Sequence, residues 1–266
     1  MTFTYTLTCT LDTTTALPPV AGSEEQRAYW VTPTILAWPL SLLPRGMDRE
    51  VVVTDAGDPL PGSGLALRLI TAPDGGAAAI HGRILGADGM PAPTLTPLRI
   101  VGNLPGEVLA AHPHLEGYIA LSATNAAGTP LFDDAAVASA LTGQVAIAQY
   151  VGLPDPTEDA DISDAHLDAF TGVQTAILLD HLYAEAATRA ELGVTFSGGL
   201  PSFALWAPTA QAVTLLTWET GDPLGSVPEA PGPPRRTPAV RKGDGRWVVT
   251  NRPDSPADAV ASTPSG

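Results

Sequence analysis

Acidic side chains crowd one segment of the sequence, and carboxylates in such a segment could ligate a cation. Residues 155–168 contain six Asp or Glu residues and no Lys or Arg. Asp159, Asp161 and Ser163 match the first three ligand positions of an EF-hand loop, but Phe170 stands where a bidentate Glu is required. The match fails, and the segment is interpreted as an enlarged, solvated loop rather than a calcium site.

Two histidines offer a second possible metal site. His112 and His114 are two residues apart and would share one face of a strand, but no third ligand has metal-site spacing nearby. Pro113 between them favours a strand edge or a turn. We therefore interpret both as surface or packing histidines. No phosphate-binding glycine loop or Gly-x-Ser-x-Gly nucleophile pattern is found, so we expect no metal, no cofactor and no catalytic serine.

Tryptophan faces could bind sugars, because the electron-rich face of an aromatic ring attracts the C–H groups of a sugar ring. Trp30 and Trp38 are expected to fill the core of the first part of the chain, and Trp206 is expected to pack in a turn. Trp218 is the last residue of a candidate strand, has the polar neighbours Thr217 and Glu219, and is the least core-like. It is our candidate carbohydrate-binding residue.

Composition limits the partners that this chain can have. The 266 residues carry 13 Lys or Arg against 28 Asp or Glu, a formal net charge of -15, which disfavours nucleic acid and anionic membranes. Cys9 is the only cysteine, so no intrachain disulfide can form. The first residues do not resemble a secretory signal peptide, and no apolar run of about 20 residues predicts a membrane span. Localisation stays open, with the cytoplasm slightly favoured.

Short apolar runs separated by Pro and Gly predict a mostly β protein built from β-sandwiches. The candidate strands lie at residues 27–31, 34–38, 50–54, 65–71, 96–101, 116–122, 144–151, 193–196, 202–206, 212–218 and 246–249, the last after an Asp244-Gly245 hairpin turn. Residues 173–186 show helical periodicity. Thr171 and Gln174 have the spacing of a capping box and predict the start of this helix.

These elements predict four regions. Residues 1–22 form an N-terminal extension, and residues 23–190 form a first β-sandwich module that includes the helix near 172–187. Residues 191–250 begin a second module, which contains a long exposed Pro-rich loop at 222–239. The tail at 251–266 is expected to be disordered, because it consists largely of Pro, Ala, Asp and Ser.

An ordered set of motifs resembles the N-terminal accessory region of pullulanase-type α-1,6-glucosidases, the debranching enzymes of the α-amylase superfamily. The helix and the start of the second module carry the first motifs: Thr171–Ala176, Leu179–Ala184, Leu192–Phe196 and Leu205–Ala210. Further motifs stand upstream in family order: Arg27–Val31, Ile35–Pro39, Pro113–Leu115 and Gly143–Tyr150. Together they extend over roughly residues 25–250.

The resemblance implies two immunoglobulin-like β-sandwich modules joined by a short helical segment, the second of which is incomplete. It also implies that the parent enzyme hydrolyses α-1,6 links in pullulan, glycogen or starch. The two carboxyl groups of such a glycosidase sit on a (β/α)8 barrel, which needs roughly 250 residues. No catalytic residue is therefore assigned in this chain.

The expected partners are an α-glucan polysaccharide and the catalytic barrel of the parent enzyme. Two alternatives stay open at this point. The chain could be a structural interaction module without glycan affinity, or it could be a truncated gene product.

Overall fold

The computed structural model describes residues 20–22, 25–47, 65–72, 77–80, 83–86, 93–152, 166–217 and 234–250. Strands dominate these residues, which confirms the prediction of a mostly β protein. The chain divides into two compact units, residues 1–182 and 183–266. The candidate strand at 50–54, most of the N-terminal extension and the tail at 251–266 lie outside the described residues.

The first unit contains a closed, seven-stranded barrel. Its strands follow one another in the order β1-β2-β7-β6-β3-β8-β9, and the ring closes where β9 and β1 pair in parallel. A separate hairpin pairs β4 with β5. The strand bounds are β1 Ala28–Thr32, β2 Ile35–Pro39, β3 Ala66–Ala72, β4 Ala77–Ile80, β5 Arg83–Gly86, β6 Thr94–Asn103, β7 Tyr118–Ser122, β8 Gln144–Val151 and β9 His166–Gln174.

Short helices accompany the barrel. They are α1 Gly106–Ala111, α2 Asp134–Ala140 and α3 Ala176–Ala187, with 3₁₀ turns at Leu40–Leu42 and Pro113–Leu115. The Asp133 side chain caps α2 by accepting a hydrogen bond from the Ala136 N–H at 2.7 Å. The boundary between the two units falls within α3.

Alternating side chains fill the barrel core, because successive residues of a strand point to opposite faces. Trp30 and Trp38 are fully buried there with Leu36, Leu69 and Ile147. The prediction that these two tryptophans fill the core of the first part of the chain is confirmed.

The capping-box prediction is wrong. Thr171 and Gln174 lie in β9, and the helix begins only at Ala176. The Thr171 hydroxyl donates to the Glu25 carbonyl at 2.9 Å and accepts from the Arg27 N–H at 3.0 Å. Pairing with β8 and β1 holds this segment extended, so tertiary hydrogen bonds override the local capping pattern.

We predicted a two-sheet sandwich for this module, whereas the described strands form one continuous ring. The immunoglobulin-like arrangement is not confirmed. The sequence did not indicate β9, and this strand provides the pairing that closes the ring through β1.

The second unit consists of open antiparallel sheets. A four-stranded sheet has the order β10-β11-β15-β14, and β12 pairs with β13. The bounds are β10 Gly193–Ser197, β11 Leu200–Trp206, β12 Thr214–Thr217, β13 Arg235–Pro238, β14 Val240–Arg241 and β15 Arg246–Thr250. The Asp244-Gly245 turn leads into β15 as predicted. The strand β13 lies inside the segment that we predicted to be a loop, because its backbone pairs with β12 despite its arginines and proline.

Candidate functional site

Of the residues singled out from the sequence, those that the structure describes do not form one site, because Trp30 and Trp38 lie in the core whereas His112 and His114 lie outside it. Trp218 and the candidate cation ligands Asp159, Asp161 and Ser163 lie outside the described residues. Trp206 is half-buried, and its indole Nε1 is buried without a hydrogen-bond partner. Within the part of the chain that the structure describes, no group of three or more His, Cys, Asp or Glu residues could hold a metal ion.

His112 and His114 lie beside an aromatic group that the sequence analysis did not identify. Pro113 begins a 3₁₀ turn, one of the two arrangements expected from the sequence, so His112, which follows α1, and His114, which lies in the turn Pro113–Leu115, do not share a strand face. The His114 ring centroid is 5.3 Å from that of Tyr29 and 5.9 Å from that of His112. Tyr29 in turn lies 5.7 Å from Tyr118. We call these four residues the aromatic cluster.

The aromatic cluster lies on the outer face of the barrel. Tyr29 comes from β1, Tyr118 from β7 and His114 from the turn that precedes β7. Tyr29, Tyr118 and His112 are half-buried, whereas His114 is exposed. Neighbouring rings are strongly tilted, by 59° to 79° between planes, so the cluster is angular rather than flat.

A small apolar layer supports these rings. Leu115, Ala37 and Ala120 are buried together on the outside of the strands, and Tyr29 and Tyr118 pack against their margin. Ala37 pairs with Tyr29 on one side and with Ala120 on the other. Small side chains at these two positions leave room for Leu115 and for the rings to pack on the sheet.

Charge and burial both act on the Tyr118 phenol. Burial is the main cause that raises the pKa of Tyr118, and the neighbouring Tyr29 adds to it. Arg27 opposes this rise in pKa. The Arg27 guanidinium is itself held by Glu25, at 3.2 Å between Nε and Oε2, and by a 2.7 Å hydrogen bond to the Ser41 hydroxyl.

A polar link crosses the barrel interior. The fully buried Gln149 amide accepts a hydrogen bond from the Trp38 indole at 3.1 Å. It donates to the Leu42 carbonyl and to Asp168 Oδ2, both at 2.8 Å. This arrangement satisfies the Trp38 N–H and both amide hydrogens, which is the requirement for burying polar groups in a core. We interpret Gln149 as a structural residue.

One face of the four-stranded sheet in the second unit is apolar but only partly covered. Cross-strand partners share a face, and the register joins Val194 to Phe203 and Phe203 to Val249. On this face Trp247 is 8% exposed, whereas Leu205 is 40%, Val194 51% and Phe196 72% exposed. We call this surface, formed by Val194, Phe196, Phe203 and Leu205, the open sheet face.

The exposure of the open sheet face agrees with an expectation from the sequence about burial in the second module. The strands recognised in the second module are too few to cover one another, so Phe203, Leu205, Val213, Leu215 and Trp247 were not expected to be buried together. Of these five, Trp247 alone is buried among the described residues. Its indole N–H donates to the Ala207 carbonyl at 2.9 Å. No helix in the described ranges is long and apolar enough to span a membrane.

Sequence reasoning missed Tyr29 and Tyr118 because it considered tryptophan alone as a sugar platform. A usable signal was present. In the segment 27–31, Tyr29 alternates with Ala28 and Trp30, which places it on the face opposite the core.

Comparison with known proteins agrees with the motifs. A family model described as the Pullulanase N2 domain matches residues 25–181. Pullulanase from Klebsiella pneumoniae is 35% identical over 124 residues, which make up 46% of this chain and 10% of that protein. The matched part of the chain thus spans about a tenth of the length of this relative.

Solved structures give the same comparison at the level of the fold. A maltotriose complex of a PulA mutant from Klebsiella pneumoniae has a TM-score of 0.55 at 23% identity, covering 88% of this chain and 20% of that one. Apo pullulanase from the same organism has a TM-score of 0.54 at 23% identity, covering 86% of this chain and 19% of that one. Because the family model covers more than half of the sequence, the chain belongs to the Pullulanase N2 domain family.

Proposed function

We propose that this chain is an accessory region of a pullulanase-type debranching enzyme and that it packs against the rest of that enzyme through the open sheet face. The Pullulanase N2 domain match and the Klebsiella relative support the enzyme class. The exposure of Val194, Phe196 and Leu205 on one face of a sheet is the observation that supports the packing role. The partner surface would lie on the catalytic barrel or on a domain beside it.

The physical argument for packing rests on uncovered apolar area. Large apolar patches on the surface of a protein mark interaction sites, because leaving them in water costs free energy. The strand β10 also ends its sheet among the described strands and carries no charged residue or proline to protect its edge. Both features favour a partner that covers β10.

The finer fold prediction belongs to the same proposal. We infer an immunoglobulin-like module in the second unit, at residues 191–250. The two open antiparallel sheets of this unit support that arrangement.

Glucan binding is the second part of the predicted accessory role. One structural neighbour is a maltotriose complex, which supports α-glucan as the ligand class. Trp218 stays our sequence-based candidate for contact with glucan. The alternative is a structural module without glycan affinity.

The chain alone is expected to release no reducing ends from pullulan. The reason is that the hydrolytic carboxyl groups of this superfamily are held by a (β/α)8 barrel. The measurement is a reducing-sugar assay with purified protein against a buffer blank. Turnover above the blank would contradict the accessory role.

The packing role is tested by binding in trans. The partner is Klebsiella pneumoniae pullulanase from which the region similar to this chain has been removed, and calorimetry measures the dissociation constant. Phe196→Ser should weaken binding by about tenfold or more, because it places a hydroxyl in an apolar interface. Val240→Ser is the matched control, since Val240 is 55% exposed but lies on the opposite face of the same sheet. Equal effects of the two variants, or no binding by the wild type, would argue against the open sheet face as the interface.

A further inference from the structure

We propose that the aromatic cluster, formed by Tyr29, His112, His114 and Tyr118, is a binding site for α-glucan chains. It lies on the outside of the barrel, and its rings are half-buried or exposed. None of its side chains takes part in the hydrogen bonds that close the barrel. The choice of α-glucan as the ligand class rests on the proposed function, whereas the position of the site rests on the geometry.

The tilt between rings suits a sugar. A sugar ring needs an aromatic face for its C–H groups and, beside it, polar atoms for its hydroxyls. Tyr29 is inclined by 59° to His114 and by 75° to Tyr118. A sugar that stacks on one of these rings is therefore placed near the edge of the next ring, and phenols and imidazoles carry their polar atoms on the ring edge.

The polar atoms of the two phenols are available. Within the described ranges, neither the Tyr29 nor the Tyr118 hydroxyl has a hydrogen-bond partner in the protein, although both residues are half-buried. A partly desolvated hydroxyl without a partner gains free energy from a ligand that bonds to it. Sugar hydroxyls both donate and accept, so they suit a phenol in either role.

The site is held in shape before a ligand arrives. Leu115, which is fully buried, anchors the turn that carries His114. The Leu40 N–H donates to the Gly117 carbonyl at 3.0 Å and ties the same turn to the end of β2. A preformed site loses little conformational freedom on binding, which favours a weakly interacting neutral ligand.

Other ligand classes fit less well. A metal ion would need a third ligand, and the described residues offer none near His112 and His114. An anionic ligand would need a free cation, but the guanidinium of Arg27 is already engaged by Glu25 and Ser41. The net charge of -15 also opposes anions.

Affinity electrophoresis of the full chain in glycogen gels tests the proposal. The wild type should be retarded by glycogen and not by hydroxyethylcellulose, a β-glucan of similar polarity. His114→Ala should raise the apparent dissociation constant roughly three- to tenfold through loss of one ring contact. His114 is exposed, so this variant should keep the wild-type circular dichroism spectrum and melting temperature. His166→Ala, which removes an exposed histidine at the start of β9, is the matched control and should behave as the wild type.

A local readout separates the site from any other glucan site on the chain. In a maltotriose titration followed by NMR, the imidazole signals of His112 and His114 should shift, whereas those of His166 and His181 should not. Retardation by glycogen without a shift at His114 would overturn the aromatic cluster as the site and leave Trp218 as the candidate.

Absence of both retardation and shift would overturn glucan binding altogether. Neither result affects the outcome of the packing test, because the open sheet face belongs to the second unit and its binding is measured with a different partner. The failure of this inference is therefore distinguishable from the failure of the packing role.

Discussion

The barrel of the first unit and the four-stranded sheet of the second unit differ in how they pair their strand edges and bury their apolar side chains. In the barrel every strand has two neighbours, so no strand edge is left and both large tryptophans are sealed inside. In the second unit β10 has one neighbour among the described strands, and Phe196 on it is 72% exposed. Apolar alternation is similar in both units, and closure decides whether the alternating side chains become a core or a surface.

This difference has a functional consequence. A closed barrel buries its apolar side chains without help from another chain, whereas an open sheet with apolar residues on one face is stabilised when something covers that face. Truncating a side chain inside the barrel should therefore lower the free energy of unfolding strongly. Truncating a side chain on the open sheet face should lower it little in the free chain.

The largest effect is expected from Trp38→Ala. The substitution removes a fully buried ring and leaves the Gln149 carbonyl oxygen without its indole donor, so it should destabilise the first unit by about 3–5 kcal/mol. Leu205→Ala, on the open sheet face, should cost less than about 1 kcal/mol. Urea unfolding followed by circular dichroism measures both. Comparable losses of unfolding free energy in the two variants would contradict the distinction between a closed and an open unit.

A smaller loss should follow from Gln149→Leu. The change fills the same space but leaves the Trp38 N–H buried without an acceptor, at a cost of about 1–3 kcal/mol. Gln174→Leu is the matched control, because the side-chain hydrogen bond of Gln174, to the Gln26 carbonyl, is exposed to solvent. A Gln149→Leu variant as stable as the control would show that the polar link does not stabilise the barrel.

The smallest effect concerns the turn before β15 and depends on pH. A hydrogen bond from Arg246 is the main cause that lowers the pKa of Asp244, and the closest contact, between Nη2 and Oδ2, is 2.7 Å. Because the pKa is lowered in the folded state, the stabilisation is present above the ordinary value of 3.8 and is lost as the pH falls through the lowered value.

The substitution Asp244→Asn should therefore reduce hydrogen-exchange protection of the Trp247 amide by about twofold at neutral pH. The variant should no longer show the acid-dependent loss seen in the wild type. Exchange that is identical in the two proteins from pH 7 down to pH 3 would show that the pair contributes nothing.

The local sequence pattern was sufficient to predict a strand where an apolar run is bounded by turn residues. The segments 27–31 and 34–38 form the paired strands β1 and β2, and Gln144–Val151 is a strand over the whole predicted range. Such strands carry continuous apolar runs bounded by turn residues, so their own sequence specifies them.

Long-range pairing was not predictable in the same way. Thr171 has the local features of a helix cap, but its hydroxyl bonds to the backbone at Glu25 and Arg27, about 145 positions away. Gly172 reflects the same contact, because a Cβ there would come within 2.8 Å of the Gln26 side chain. The aromatic cluster has the same origin, since Tyr29 and Tyr118 meet only when β1, β2 and β7 are paired.

Hydrogen exchange of the intact free chain tests the contrast between the two units most directly. Amides of β8, which is paired on both sides, should exchange only through global unfolding of the first unit. Amides of β10 should exchange at least about a hundredfold faster, through local opening of the uncovered sheet. Protection of β10 equal to that of β8 would show that the second unit is closed on its own and would contradict an open sheet face that requires a partner.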